Sequence, residues 1–208
     1  PVDSAAPKGR LILPQQQTIR EILDNDAMAM MVKENALESS LSRLAQSPKL
    51  VVTDSQAFAQ VAAIVPEDIP LTSFSILFAR HKGRFAPLIQ GVKAIDSLED
   101  GAGVLIAEGC THHRQCGDIG TVKLPNWLKK YTGKKLNCEF TSGLEFTDDL
   151  SCYDLVIHCG GCTLNRREMC YRIDSAIAAG VPVTNYGIAI SHLTGILQRC
   201  LSVFDLPQ

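Results

Sequence analysis

Apolar residues recur along this chain with the periods of helices and short strands. Ile19, Ile22 and Leu23 lie at helical spacing after Pro14, a residue favoured near a helix start. Leu37, Leu41 and Leu44 mark a second helix, stopped by Ser47-Pro48. Between them, Ala27-Met28-Ala29-Met30-Met31-Val32 reads as a short buried strand with its methionines packed in the core. Leu50-Val51-Val52-Thr53 reads as a strand, after which Asp54 or Ser55 caps a helix through Phe58, Val61 and Ile64 that ends at Pro66. A short extended segment at Leu71-Thr72 leads into a helix over Phe74–Lys82, with Gly83 as its stop. Another helix carries Leu88, Val92, Ile95 and Leu98.

The pattern breaks at Glu99-Asp100-Gly101-Ala102-Gly103 and then restarts. Val104–Ala107 is a strand, and Ile119–Tyr131 is mostly helical despite Pro125. Leu136–Thr141 and Leu155–Ile157 are further strands, and Arg166–Ala179 is a helix with Gly180 past its end. Val181–Thr184 is the last strand and Ile188–Phe204 the last helix. Strands alternating with helices imply parallel sheets. The expectation is an α/β chain of two consecutive units, each a parallel β-sheet flanked by α-helices. Residues 1–7 read as a linker, 8–98 as the first unit and 99–208 as the second. No sequence repeat relates the units.

Composition narrows the function. The chain is 46% hydrophobic and 20% charged, as in soluble globular proteins. A formal net charge of -2 and the lack of a basic stripe argue against nucleic-acid binding. No apolar run reaches membrane length and no secretory leader is present, so a cytoplasmic protein is expected. The first residue is Pro1 and the opening stretch is linker-like, so the chain reads as a fragment of something longer or a processed form. At 208 residues it can build a core without disulfide staples, so its 8 cysteines point to metal or redox chemistry. Cys138, Cys152, Cys170 and Cys200 are scattered and read as buried small hydrophobes.

The other cysteines are clustered. Cys110-Thr111-His112-His113 follows Val104–Ala107 after Glu108-Gly109, and His158-Cys159-Gly160-Gly161-Cys162 directly follows Asp154–Ile157. In an open parallel sheet, loops at the carboxyl ends of strands gather on one edge, where ligands bind. Cys159-x-x-Cys162 alone fits a thiol–disulfide oxidoreductase pair, with thiolate character supplied by a helix amino terminus. Cys110 shifts the balance, because three cysteines from two loops make a poor dithiol switch and a good metal cradle. Thiolates suit zinc, copper(I) and iron–sulfur clusters. The spacing is unlike an ordinary zinc finger, and Gly160-Gly161 lets backbone N–H groups approach a sulfide cluster. A structural zinc module and an iron–sulfur site both stay open on spacing alone.

The combined pattern of Cys110-x-His112 and His158-Cys159-x-x-Cys162 resembles the cluster-binding signature of the FeFe-hydrogenase maturation GTPase family, HydF. Further stretches are similar: Asp3–Gln15, Thr72–Arg80, Asp118-Ile119-Gly120 and Asn185-Tyr186-Gly187. The resemblance implies that residues 8–98 form a dimerisation domain and residues 99–208 an iron–sulfur cluster-binding domain. It also implies a missing GTPase domain. No Gly-x-x-x-x-Gly-Lys-Ser/Thr loop occurs in the chain, so no enzyme activity is expected of it. The implied role is a scaffold that binds a 4Fe-4S cluster and carries a diiron precursor as transient cargo. The implied partners are a second copy of the chain, apo FeFe-hydrogenase and the radical-SAM maturation enzymes. Cys110, Cys159 and Cys162 become iron ligands, with His112 and His158 as candidates for the fourth position or for support around it.

Nearby residues have blander readings beside functional ones. His113 and Cys116 read as spectators, and Glu108 as a solvated carboxylate rather than an oxygen ligand. Asn185 and Tyr186 should reach the same sheet edge, where they line a cargo pocket or serve ordinary turn chemistry. Arg166 and Arg167 start a helix, where positive charge is locally unfavourable; they face solvent or attract an anionic cargo.

Overall fold

The structure, a computed structural model, describes residues 1–2, 11–109, 118–147 and 149–205. Helix α1 (Leu13–Asp24) starts with Pro14 in its first turn, and the Gln15 carboxamide oxygen accepts from the Ile12 N–H at 3.1 Å. Helix α2 (Leu37–Leu41) is preceded by a 3₁₀ turn over Glu34–Ala36. Strand β1 (Val51–Thr53), helix α3 (Phe58–Ile64) and strand β2 (Leu71–Ser73) follow. The two strands pair in parallel, with Val51 opposite Leu71 and Thr53 opposite Ser73.

Ser73 ends β2 and caps the next helix, α4 (Phe74–Lys82), its hydroxyl accepting from the Ile76 N–H at 3.3 Å. Helix α5 (Phe85–Gly91) continues through a 3₁₀ stretch, Val92–Ser97. The second half of the chain then supplies β3 (Gly103–Ala107), α6 (Leu124–Thr132), β4 (Asn137–Thr141), β5 (Leu155–His158), α7 (Arg166–Ala178), β6 (Val183–Asn185), α8 (Tyr186–Leu193) and α9 (Leu197–Leu201). A single π-helical turn, Ile119–Lys123, runs directly into α6, whose second residue is Pro125.

Among the described residues the strands form two parallel sheets, β1-β2 and β4-β3-β5-β6. Both are flanked by helices, which gives the α/β architecture expected from the alternation. Position in the sheet explains composition. The central strands β3 and β5 are buried on both faces and read as unbroken apolar runs, whereas the edge strand β4 is largely exposed and carries Asn137 and Glu139. The other edge, β6, is fully buried. Helix α5 lies directly on it: Gly91 approaches the Val183 backbone, and the Thr184 hydroxyl donates to the Leu88 carbonyl at 2.9 Å. Most of the buried apolar residues form one contiguous cluster with members from Leu37 to Leu201.

Three expectations are corrected. Ala27–Val32 is not a buried strand: Met28 is 99% and Met30 is 53% exposed, and the segment belongs to neither described sheet, its end meeting only an isolated bridge in which the Val2 N–H donates to the Val32 carbonyl at 2.8 Å. The last helix is two helices, since Gly195 takes a left-handed φ of 75° and its N–H returns to the His192 carbonyl, closing α8. The scattered cysteines are not uniformly buried: Cys200 is, Cys138 and Cys170 are half-buried, and Cys152 is exposed. No helix among the described residues is long and apolar enough to cross a membrane.

Candidate metal centre

The strand order creates the site. From β3 the chain moves through α6 to β4 on one side, while β5 pairs with the other side of β3. The chain therefore changes direction between β3 and β5, and their carboxyl ends frame the crevice where ligands bind in open α/β sheets. Ala107, His158 and Asn185 form one row across three strands at this edge. The next residues are Glu108 and Gly109 after β3, Cys159 after β5 and Tyr186 after β6.

Cys159 is anchored from both loops. Its N–H donates to the Ala107 carbonyl at 2.8 Å. Its Sγ accepts from the Gly109 N–H at 3.1 Å and from the Gly161 N–H at 3.3 Å. The chain thus leaves Gly109, the last described residue before Cys110, from the sulfur of Cys159. Gly161 takes a φ of 58°, and a Cβ there would lie 2.3 Å from Sδ of Met169. The second glycine of the Cys-Gly-Gly-Cys turn is therefore required by both conformation and space.

The turn closes when the Leu164 N–H donates to the Gly161 carbonyl at 3.1 Å. The Thr163 hydroxyl reaches back to the Gly109 carbonyl at 3.1 Å, tying the two loops together again. Asn165 then caps α7, its side-chain oxygen accepting from the Glu168 N–H at 2.9 Å. Lys82, at the end of α4, covers the turn: its Nζ donates to the carbonyls of Gly161, Cys162 and Leu164 at 3.1, 2.9 and 2.9 Å. Burial lowers the Lys82 pKa, while nearby Cys162 and Cys159 act in the opposite direction.

His158 is placed as a support. It is 1% exposed, with Nδ1 2.9 Å from the Cys159 carbonyl and Nε2 3.2 Å from Nη1 of Arg172. Both ring nitrogens thus have protein partners, and iron ligation would require giving one up. Arg172, itself 1% exposed, also donates to Glu168 at 2.8 Å and to the Gly143 carbonyl at 2.9 Å, and stacks on Phe146.

Glu108 is buried rather than solvated, and the Tyr186 hydroxyl donates to its Oε1 at 3.3 Å. Burial, with the adjacent Glu108 carboxylate, raises the Tyr186 pKa well above that of an ordinary phenol. Asn185 serves turn chemistry: it caps α8 through the Ile188 N–H and donates from Nδ2 to the Ser75 hydroxyl at 2.9 Å. Arg166 and Arg167 are exposed at the start of α7.

Cys110, His112, His113 and Cys116 lie outside the described residues. Among the described residues, no group of three or more His, Cys, Asp or Glu side chains is positioned to hold a metal ion. What the described part offers is two sulfurs on one turn, with backbone N–H groups from two loops directed at one of them. That donor chemistry suits a thiolate-bound metal centre, since N–H···S bonds disperse thiolate charge and tune cluster potential. Lys82 and Arg172 escaped the sequence reading. Each is an ordinary basic residue in a helix, and only the packing brings Lys82 to the turn and Arg172 to His158.

Residues 86–203 match the hydrogen maturase F tetramerization domain, and residues 1–83 match the hydrogen maturase F dimerization domain. The half bearing both cysteine loops is thus the half matched by a domain described by its assembly. No curated protein matches the chain.

Proposed function

Because this chain belongs to the hydrogen maturase F family, as the match over residues 86–203 establishes, we propose that it is a scaffold in hydrogenase maturation. Cys110, Cys159 and Cys162 hold a 4Fe-4S cluster at the crevice between β3 and β5. When bound, such a cluster supplies an iron with an exchangeable coordination position at which a diiron cargo can attach. The chain's own residues do the holding. Gly109 and Gly161 donate N–H groups to the Cys159 sulfur, and Lys82 fixes the turn that carries Cys162. His158 orients the Cys159 carbonyl and stays out of the ligand set, leaving His112 as the histidine candidate for the fourth position. A cytoplasmic setting, where thiols stay reduced, suits this chemistry. Delivery to apo FeFe-hydrogenase and exchange with radical-SAM maturation enzymes follow from the family role.

The observation that carries this reading is the Gly109 N–H on Cys159 Sγ. It brings the chain to the second cysteine pair at the residue before the first cysteine. The test is anaerobic reconstitution with iron and sulfide, followed by metal analysis and electron paramagnetic resonance. About four irons per chain are expected, as for a cubane cluster. Cys110→Ala, Cys159→Ala and Cys162→Ala should each abolish stable binding, with Cys152→Ala as the unaffected control. Tightly held zinc, a metal-free dithiol, or iron binding that survives Cys110→Ala would overturn the reading.

A further inference from the structure

The Cys159–Leu164 turn is gripped by a helix from the other half of the chain. Lys82 is the last residue of α4, within the segment matched by the dimerization domain. An ammonium has three N–H donors, and its three hydrogen bonds go to the carbonyls of Gly161, Cys162 and Leu164. The Phe78 ring supports the ammonium at 4.9 Å. At the opposite end of the same helix, the Ser75 hydroxyl accepts from the Gly187 N–H at 3.2 Å and from Asn185 Nδ2. Gly160 passes close by: a Cβ on it would lie 3.4 Å from the Ser75 hydroxyl oxygen. Ser73, which caps α4, ends β2 and meets the Ser55 hydroxyl at 3.1 Å. Helix α4 is thus fixed at its start by the first sheet and at its end by the cysteine turn.

We infer that Lys82 is a positioning residue for the cysteine turn, and that through it the placement of α4 governs how firmly the turn presents Cys159 and Cys162. Three carbonyls converging on one cation set the curvature of the turn. The same cation places positive charge beside both sulfurs, which favours the more reduced, more negative form of a bound centre. This rests on the reading of Cys159 and Cys162 as ligands, yet the grip itself belongs to the chain without metal.

The test uses the whole chain with Lys82→Met, which keeps length and removes donors and charge, and Lys82→Arg, which keeps charge. In the metal-free chain, hydrogen exchange over Cys159–Leu164 should accelerate by roughly tenfold or more in Lys82→Met, as for loss of a charge-assisted hydrogen bond. Exchange in β3 and β5 should not change. In the reconstituted chain, the midpoint potential should move negative in Lys82→Met and return toward the original value in Lys82→Arg. Unchanged exchange at the turn, acceleration spread evenly over the chain, or an unmoved potential would overturn the inference. If Lys82→Met does not fold, Lys82→Gln is read by the same outcomes. A chain that takes up no iron would sink the scaffold reading, and the metal-free exchange would still decide the role of Lys82.

Discussion

Nη1 of Arg172 lies 3.2 Å from Nε2 of His158, and a guanidinium can only donate. His158 Nε2 is therefore the acceptor, and the proton sits on Nδ1, where it meets the Cys159 carbonyl at 2.9 Å. Burial, aided by the Arg172 charge, lowers the His158 pKa to about 4. The folded chain thus excludes the proton that the unfolded chain accepts near pH 6.5. Stability from this site is complete above that value and is lost as pH falls toward 4. The metal-free chain should lose about 2 kcal/mol between about pH 7.5 and pH 5 from this group, a slope that His158→Gln removes. Denaturant titrations at the two pH values measure it.

Arg172→Met would strand three acceptors together: the His158 ring, the Glu168 carboxylate and the Gly143 carbonyl. Removing one partner of a buried ionic network costs about 3 kcal/mol. Arg172→Lys should recover little of it, because a point ammonium cannot span the three directions of a planar fork. Equilibrium unfolding of both variants checks this.

Gly91 and Gly133 should both lose stability on substitution by alanine, but to very different degrees. A Cβ on Gly91 would lie 2.1 Å from the Val183 carbonyl oxygen, which is backbone in a buried strand and cannot yield. Gly91→Ala should cost about 3 kcal/mol or prevent folding, as overpacking does at its upper end. Gly133 has a φ of 69° with nothing within 4 Å of a Cβ, so Gly133→Ala should cost only about 1 kcal/mol. Melting temperatures of the two variants make the comparison.

Met28, Met30 and Met31 present an exposed apolar run in the half matched by the dimerization domain. An exposed apolar patch of this kind marks a contact surface for another chain. Met28→Lys with Met30→Lys should shift the chain toward monomer, while changing monomer stability by no more than about 0.5 kcal/mol, as usual for exposed positions. Sedimentation velocity reads the first effect and denaturant unfolding the second.

Much of the architecture was legible because its signals are local. The strand residues Val104–Ala107 and Leu155–Ile157 read as apolar runs because both are buried on both faces. The end at Gly180 read from glycine's conformational freedom, since its φ is 71°. Gly83 also ends its helix as read, but in an extended conformation, where a Cβ would crowd the Ala79 carbonyl and Ile173. The misread segments have an equally physical origin. The Ala27–Val32 run looks like core in one dimension, yet an apolar run does not say what will cover it. In the last helix, the Thr194-Gly195 pair was a visible break signal overridden by the apolar residues on either side.

The sequence by itself determined the α/β alternation, the two cysteine loops behind two apolar strands, and the glycines that let one loop turn sharply. Each of these depends on a few neighbouring residues. Only the tertiary structure decided that β3 and β5 are adjacent, that Gly109 meets the sulfur of Cys159, that His158 is turned toward Arg172, and that Lys82 reaches the turn from the far half of the chain. Those relationships join residues 14 to 80 positions apart. They are set by which buried surfaces pack together, and neither periodicity nor spacing encodes that.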